Sequence, residues 1–97
     1  MTTEPKRIEL HVDSDLRLAA AVGAAVRHLA ETAGLPEEVS LEFQKEALEA
    51  TKKLFSAQST KKHVVDLLVY SDRLEVVLDG GSGSGAVRLT RSLVSQR

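Results

Sequence analysis

Ninety-seven residues without a cysteine predict a single domain over residues 1–97, able to bury roughly two-thirds of its unfolded surface without a disulfide or thiolate metal staple. Apolar residues at 42% and charged residues at 28% exclude wholesale disorder, and a formal net charge of -1 supplies no general attraction to nucleic acid or to an anionic membrane. The polar start Met-Thr-Thr-Glu-Pro-Lys-Arg lacks the apolar core of a secretory signal and no apolar run is long enough to span a bilayer, so the expected compartment is the cytoplasm.

Residues 7 to 12 alternate Ile8, Leu10 and Val12 with Glu9 and His11, the pattern of a half-buried strand. His11 points away from the apolar face, and with no second ligand at a suitable spacing it is not read as a metal site. Asp13, Ser14 and Asp15 offer N-caps for a helix that runs to about Ala33, with Leu18, Val22, Ala25 and Leu29 as its core stripe and Val26 alongside. Its many alanines keep the packing surface thin. Gly34 is the expected stop, and Leu35-Pro36 leads into the next helix.

The second helix covers about Glu37 to Ala57, acidic at its start where the helix dipole favours negative charge. Phe43, Ala47, Ala50 and Leu54 form one apolar line, and Leu41, Leu48 and Phe55 a neighbouring one. Glu42, Glu46, Glu49 and Lys53 occupy the rim, with Glu49 and Lys53 spaced for an i, i+4 ion pair. On spacing alone this quartet reads as a solvated helix face.

After a polar loop the chain turns to strands over His63 to Tyr70, Arg73 to Asp79 and Gly85 to Leu93. Val65, Leu67 and Val69 define one face of the first of these. Val64, Leu68 and Tyr70 populate the other, extended by Val77, an apolar patch that a protein partner or a second copy would cover in a homodimer. His63 is read as a surface residue at a strand edge. The order β-α-α-β-β-β predicts a two-layer α+β sandwich, two helices on one face of a mainly antiparallel four-stranded sheet.

At the end of the second of these strands, Asp79, Gly81 and Gly83 form the spacing D-x-G-x-G within Leu-Asp-Gly-Gly-Ser-Gly-Ser-Gly. Two readings stand side by side: a carboxylate that meets an adenine amino group beside glycines that admit a nucleotide, or a flexible connection between antiparallel strands.

The element order, the phrase Ala33-Gly34-Leu35-Pro36-Glu37-Glu38, the Glu49-Ala50 pair, the run Asp72 to Val77 and the Asp79-x-Gly81-x-Gly83 box together resemble the anti-sigma factor serine kinases of the histidine kinase-like ATPase superfamily. The resemblance covers about residues 7 to 93. It implies that Glu49 stands where the family has its catalytic base, and that Asp79, Gly81 and Gly83 stand where it has its nucleotide site. Two departures follow from the same comparison. Four residues after the glutamate the family holds a magnesium-ligating asparagine, and here that position is Lys53, an ammonium that cannot ligate a cation. After the glycine box the family inserts a lid, a second glycine box and a helix before a returning strand, whereas here Ala86 to Leu93 resembles that strand and follows almost at once. The expectation is a bacterial, non-catalytic regulatory module with a vestigial nucleotide site, no cofactor and no bound metal. By resemblance it would act on a protein partner such as a sigma factor or an anti-anti-sigma protein. The alternative is a serine/threonine kinase that binds ATP and magnesium with Glu49 as base.

Overall fold

Two helices lie against one face of a four-stranded antiparallel sheet, in the predicted chain order. The structure, a computed structural model, describes residues 6–57, 62–79 and 86–93. Strand β1 (Lys6–Asp13) leads into α1 (Leu16–Thr32) and α2 (Glu37–Ala57), and β2 (Lys62–Val69), β3 (Arg73–Asp79) and β4 (Ala86–Ser92) follow. The sheet order is β1-β2-β3-β4, so each strand pairs with its neighbour in sequence and the helical hairpin bridges β1 to β2. The free edges of the sheet are therefore those of β1 and β4.

The helix boundaries follow from local chemistry. Asp15 caps α1, its carboxylate accepting from the Arg17 backbone N–H at 2.9 Å. At the other end Leu35 N–H donates to Ala30 O and Gly34 N–H to Glu31 O, both at 3.0 Å, a Schellman arrangement that needs the positive φ of 99° that Gly34 adopts. The chain reverses there and α2 packs back along α1. A Cβ at Gly23 would stand 3.3 Å from Gln44 O and 3.5 Å from Leu48 Cβ, so the absence of a side chain there lets the two backbones approach closely.

The core lies between the layers. Val65 and Leu67 of β2 and Leu74, Val76 and Leu78 of β3 meet Val22 and Val26 of α1 and Phe43 and Ala47 of α2. All three ladders are in register for this: Val65 stands opposite Leu78, and Leu67 opposite Val76, so the inward side chains form rows across the sheet.

Three expectations about burial are corrected. On α1 the buried stripe is Ala19, Val22, Gly23, Val26 and Ala30, not the line through Leu18, which is exposed. The small residues face α2 because only they permit the close approach at Gly23. On α2 the buried line runs through Ser40, Phe43, Ala47, Thr51 and Leu54 instead of through Ala50, which is only partly covered. Thr51 tolerates burial because its hydroxyl donates to the Ala47 carbonyl one turn back, at 2.7 Å. The third is His63, which is 1% exposed and lies on the core face of β2 opposite Val12. Its ring packs on Phe55, centroids 4.9 Å apart, and this apolar contact draws it inward.

Candidate functional site

The rim of α2 carries the residues that the sequence singles out for phosphate and metal chemistry. Glu49 has a side chain 64% exposed, with its carboxylate 3.6 Å from Lys52 Nζ. The pairing is thus with Lys52, one turn along, rather than with Lys53. Lys53 is exposed on the same helix. Of the other rim residues, Glu42 is exposed, and Glu46 accepts a hydrogen bond from Arg91 Nη2 of β4 at 2.6 Å. That arginine also lies over the Phe43 ring, 4.8 Å from its centroid, so the Glu46–Arg91–Phe43 stack ties α2 to the last strand. It has a structural role at the layer boundary.

Asp79 ends β3, standing opposite Val64 on one side and Ala86 on the other. Gly81 and Gly83 lie outside the described residues. The pairing of Asp79 with Ala86 carries the most information at this end of the sheet, because it closes β3 and β4 into adjacent antiparallel strands joined through residues 80–85. A segment of that length accommodates a hairpin connection; a helix with flanking loops does not fit between these two strands. Among the described residues no cluster of three or more His, Asp or Glu side chains is placed to hold a metal ion.

The open face of the sheet brings Val64, Leu68 and Tyr70 onto one side, as expected, with Val77 beyond. Each is half-buried, and charged groups interrupt them. Asp66 stands between Val64 and Leu68 and accepts from Arg7 Nε at 3.1 Å. Glu75, opposite Leu68, is held between Arg73 Nε at 2.8 Å and Arg88 Nη1 at 2.6 Å, and its side chain is only 8% exposed although it points away from the core. The hydrogen bond from Arg73 holds the Glu75 carboxyl below its ordinary range; partial burial opposes this, and the bond from Arg88 adds to it. Arg73 in turn lies 3.7 Å above the Tyr70 ring. None of this was visible in sequence, since Arg88 and Glu75 are brought together only by the β3–β4 register.

Two further concavities lie at the β1 edge, between that strand and α1. One is lined by Leu10, Val12, Leu18, Ala21 and Ala25, the other by Ile8, Leu29, Thr32 and Val69. Both are mainly apolar, though Glu9 and His11 also line the first and Lys6 and Arg7 the second, where Ile8 is 47% exposed. At the junction of β1 and α1, Ser14 Oγ and His63 Nε2 are 2.6 Å apart, while His63 Nδ1 is buried with no partner among the described residues.

No family model matches this chain, and neither does any curated protein. Among the described residues no helix is long and apolar enough to cross a membrane.

Proposed function

We propose that this chain is a non-catalytic regulatory module of the anti-sigma factor type, cytoplasmic and bacterial, that acts by binding another protein and does not bind ATP productively. The observation that carries this reading is the direct β3–β4 pairing closed by Asp79 and Ala86, which leaves only residues 80–85 where the kinases it resembles place a lid and a further helix. Catalysis of phosphoryl transfer is largely enclosure and charge placement around the triphosphate. A connection as short as residues 80–85 has no room for such a lid and helix, and a phosphate site open to water has its electrostatic work screened. The α2 rim supports the same conclusion: Glu49 is exposed and lies 3.6 Å from Lys52, and Lys53 sets positive charge where the metal would be held. The partner that the resemblance implies is a sigma factor or an anti-anti-sigma protein.

Isothermal calorimetry with ATP, with and without magnesium, is the direct test. A flat titration under both conditions is expected. Micromolar binding that requires magnesium overturns the reading and favours the serine/threonine kinase, with Glu49 as its base.

A further inference from the structure

We propose that Ser14 is a nucleophilic serine, with His63 as its base, that takes an acyl group from a small activated ester or thioester at the junction of β1 and α1. The inference is independent of the nucleotide question, and one acylation per chain is a modification rather than a turnover. It stands on the contact between the hydroxyl and a ring that the fold holds in place.

The strand register makes that contact. His63 stands opposite Val12, two residues before Ser14, so the imidazole lies where β1 gives way to α1. Ser14 Oγ and His63 Nε2 are 2.6 Å apart, a short hydrogen bond. Packing fixes the ring: it is 1% exposed and lies against Phe55, with centroids 4.9 Å apart. Ser14 itself is exposed, so a reagent in solution reaches the oxygen while the base is held beneath it. A hydroxyl within hydrogen-bond reach of an imidazole is the arrangement that activates serine as a nucleophile.

In the proposed step Ser14 Oγ attacks the acyl carbon while its proton passes to His63 Nε2. The tetrahedral intermediate then collapses, the acyl–oxygen or acyl–sulfur bond breaks, and the leaving group departs as a phenolate or thiolate. The imidazolium returns its proton to that group or to water, leaving Ser14 as an ester. Negative charge on the attacked carbonyl oxygen develops beside the start of the 17-residue α1. Leu16, its first residue, has a backbone N–H with no acceptor among the described residues. The flanking carboxylates are turned to other partners. Asp15 is held by the Arg17 guanidinium at 2.7 Å, and Asp13 alternates onto the open face of the sheet, opposite Lys62.

The same geometry limits the reaction to activated donors. With Ser14 donating to Nε2, the ring proton sits on Nδ1, which is buried with no partner among the described residues. The carboxylate that stabilises the imidazolium in a complete triad has no counterpart there. Only a good leaving group is therefore expelled. The acyl-serine, whose own leaving group is an alkoxide, persists, and a single burst is the expected kinetics.

The test is p-nitrophenyl acetate on the full chain, read by intact mass and peptide mapping. One acetyl ester on Ser14 is expected, removed by neutral hydroxylamine as lysine amides are not, and formed at least about tenfold faster than in the same chain unfolded in urea. Ser14→Ala should abolish that ester. His63→Leu, close in volume to the wild type, should slow it by about tenfold or more, with circular dichroism confirming the fold. The comparison of folded with urea-unfolded wild type keeps the test valid should His63→Leu unfold. Acetylation of Ser14 no faster than in urea, ester spread evenly over other hydroxyls, or a folded His63→Leu that reacts like the wild type each overturns the proposal and leaves the contact a structural one.

Discussion

Replacing His63 by leucine should leave the protein as stable as the wild type or stabilise it by up to about 2 kcal/mol. The imidazole is 1% exposed, and only one of its nitrogens is partnered, Nε2 by Ser14 Oγ at 2.6 Å. Nδ1 is buried with no partner among the described residues. In either neutral tautomer one polar atom is stripped of water without compensation, at a cost of about 1–3 kcal/mol. Leucine removes that cost and is close in volume. Against it stand the lost hydrogen bond, worth about 0.5–1.5 kcal/mol net, and the Phe55 ring contact, worth about 0.5–1.5 kcal/mol. Ser14 is exposed, so its hydroxyl keeps access to water when the imidazole is removed. The opposing contributions nearly cancel, with the balance tipped by the greater apolarity of leucine against Phe55 and Val12.

Urea unfolding followed by circular dichroism measures the difference, at one fixed protein concentration because association would add to apparent stability. For a domain of this size each kcal/mol also moves the thermal midpoint by about 4–8 °C. Destabilisation of His63→Leu by more than about 1 kcal/mol would refute the reasoning, since it would mean that Nδ1 is satisfied in the folded protein.

Asp15→Asn should remove a pH dependence from folding. The hydrogen bond from the Arg17 side chain, and then that from its backbone N–H, lower the Asp15 carboxyl from 3.8 to about 2, so its contribution is complete above the ordinary value and is lost as pH falls toward 2. An asparagine caps the helix without that titration, and urea midpoints across an acid pH series should show the difference between wild type and variant shrinking as the pH drops. Gly34→Ala should destabilise by about 1 kcal/mol in the same assay; nothing lies within 4 Å of the added Cβ, so the whole cost is that of holding a side chain at φ 99°. Phe43→Ala should cost about 3–5 kcal/mol, since the ring is fully buried at the meeting of α2 with the sheet and carries Arg91 on its face.

The architecture was legible because its signals are local and period-bound. Ile8, Leu10 and Val12 alternate; Gly34 and Pro36 punctuate the helices; Glu37 and Glu38 mark a helix start; and each boundary lies within a residue or two of its expected place. Burial on the helices was legible only as a broad arc. Leu18 was placed inward and Ala19 is buried in its stead, because hydrophobicity does not tell which apolar residue a neighbouring backbone leaves room for. Thr51 and His63 escaped for a related reason: each is polar by type and buried by partnership, the one bonded to Ala47 O and the other to Ser14. On the α2 rim, Glu49 and Lys53 are both exposed, as their spacing on the polar side of the helix implies. The choice of Lys52 as the partner of Glu49 is a matter of rotamers that no spacing rule decides.

The apolar arc on α1 is wider than its buried stripe. Ala19, Val22, Val26 and Ala30 are buried against α2 and the sheet, and Ala25 and Leu29 are partly covered beside them, while Leu18 and Ala21 continue the apolar surface toward β1 and are exposed among the described residues. The open face of the sheet differs in kind. There Asp66 is paired with Arg7, and the buried Glu75 with the more exposed Arg73 and Arg88, so the half-buried Val64, Leu68 and Tyr70 lie among satisfied charges. Covering that face would desolvate three ion pairs for three scattered apolar side chains, a poor exchange when the penalty for each buried charge runs to several kcal/mol. The flank of α1 around Leu18 and Ala21 carries no such ion pairs among the described residues, so covering it costs less desolvation per apolar side chain than covering the open face.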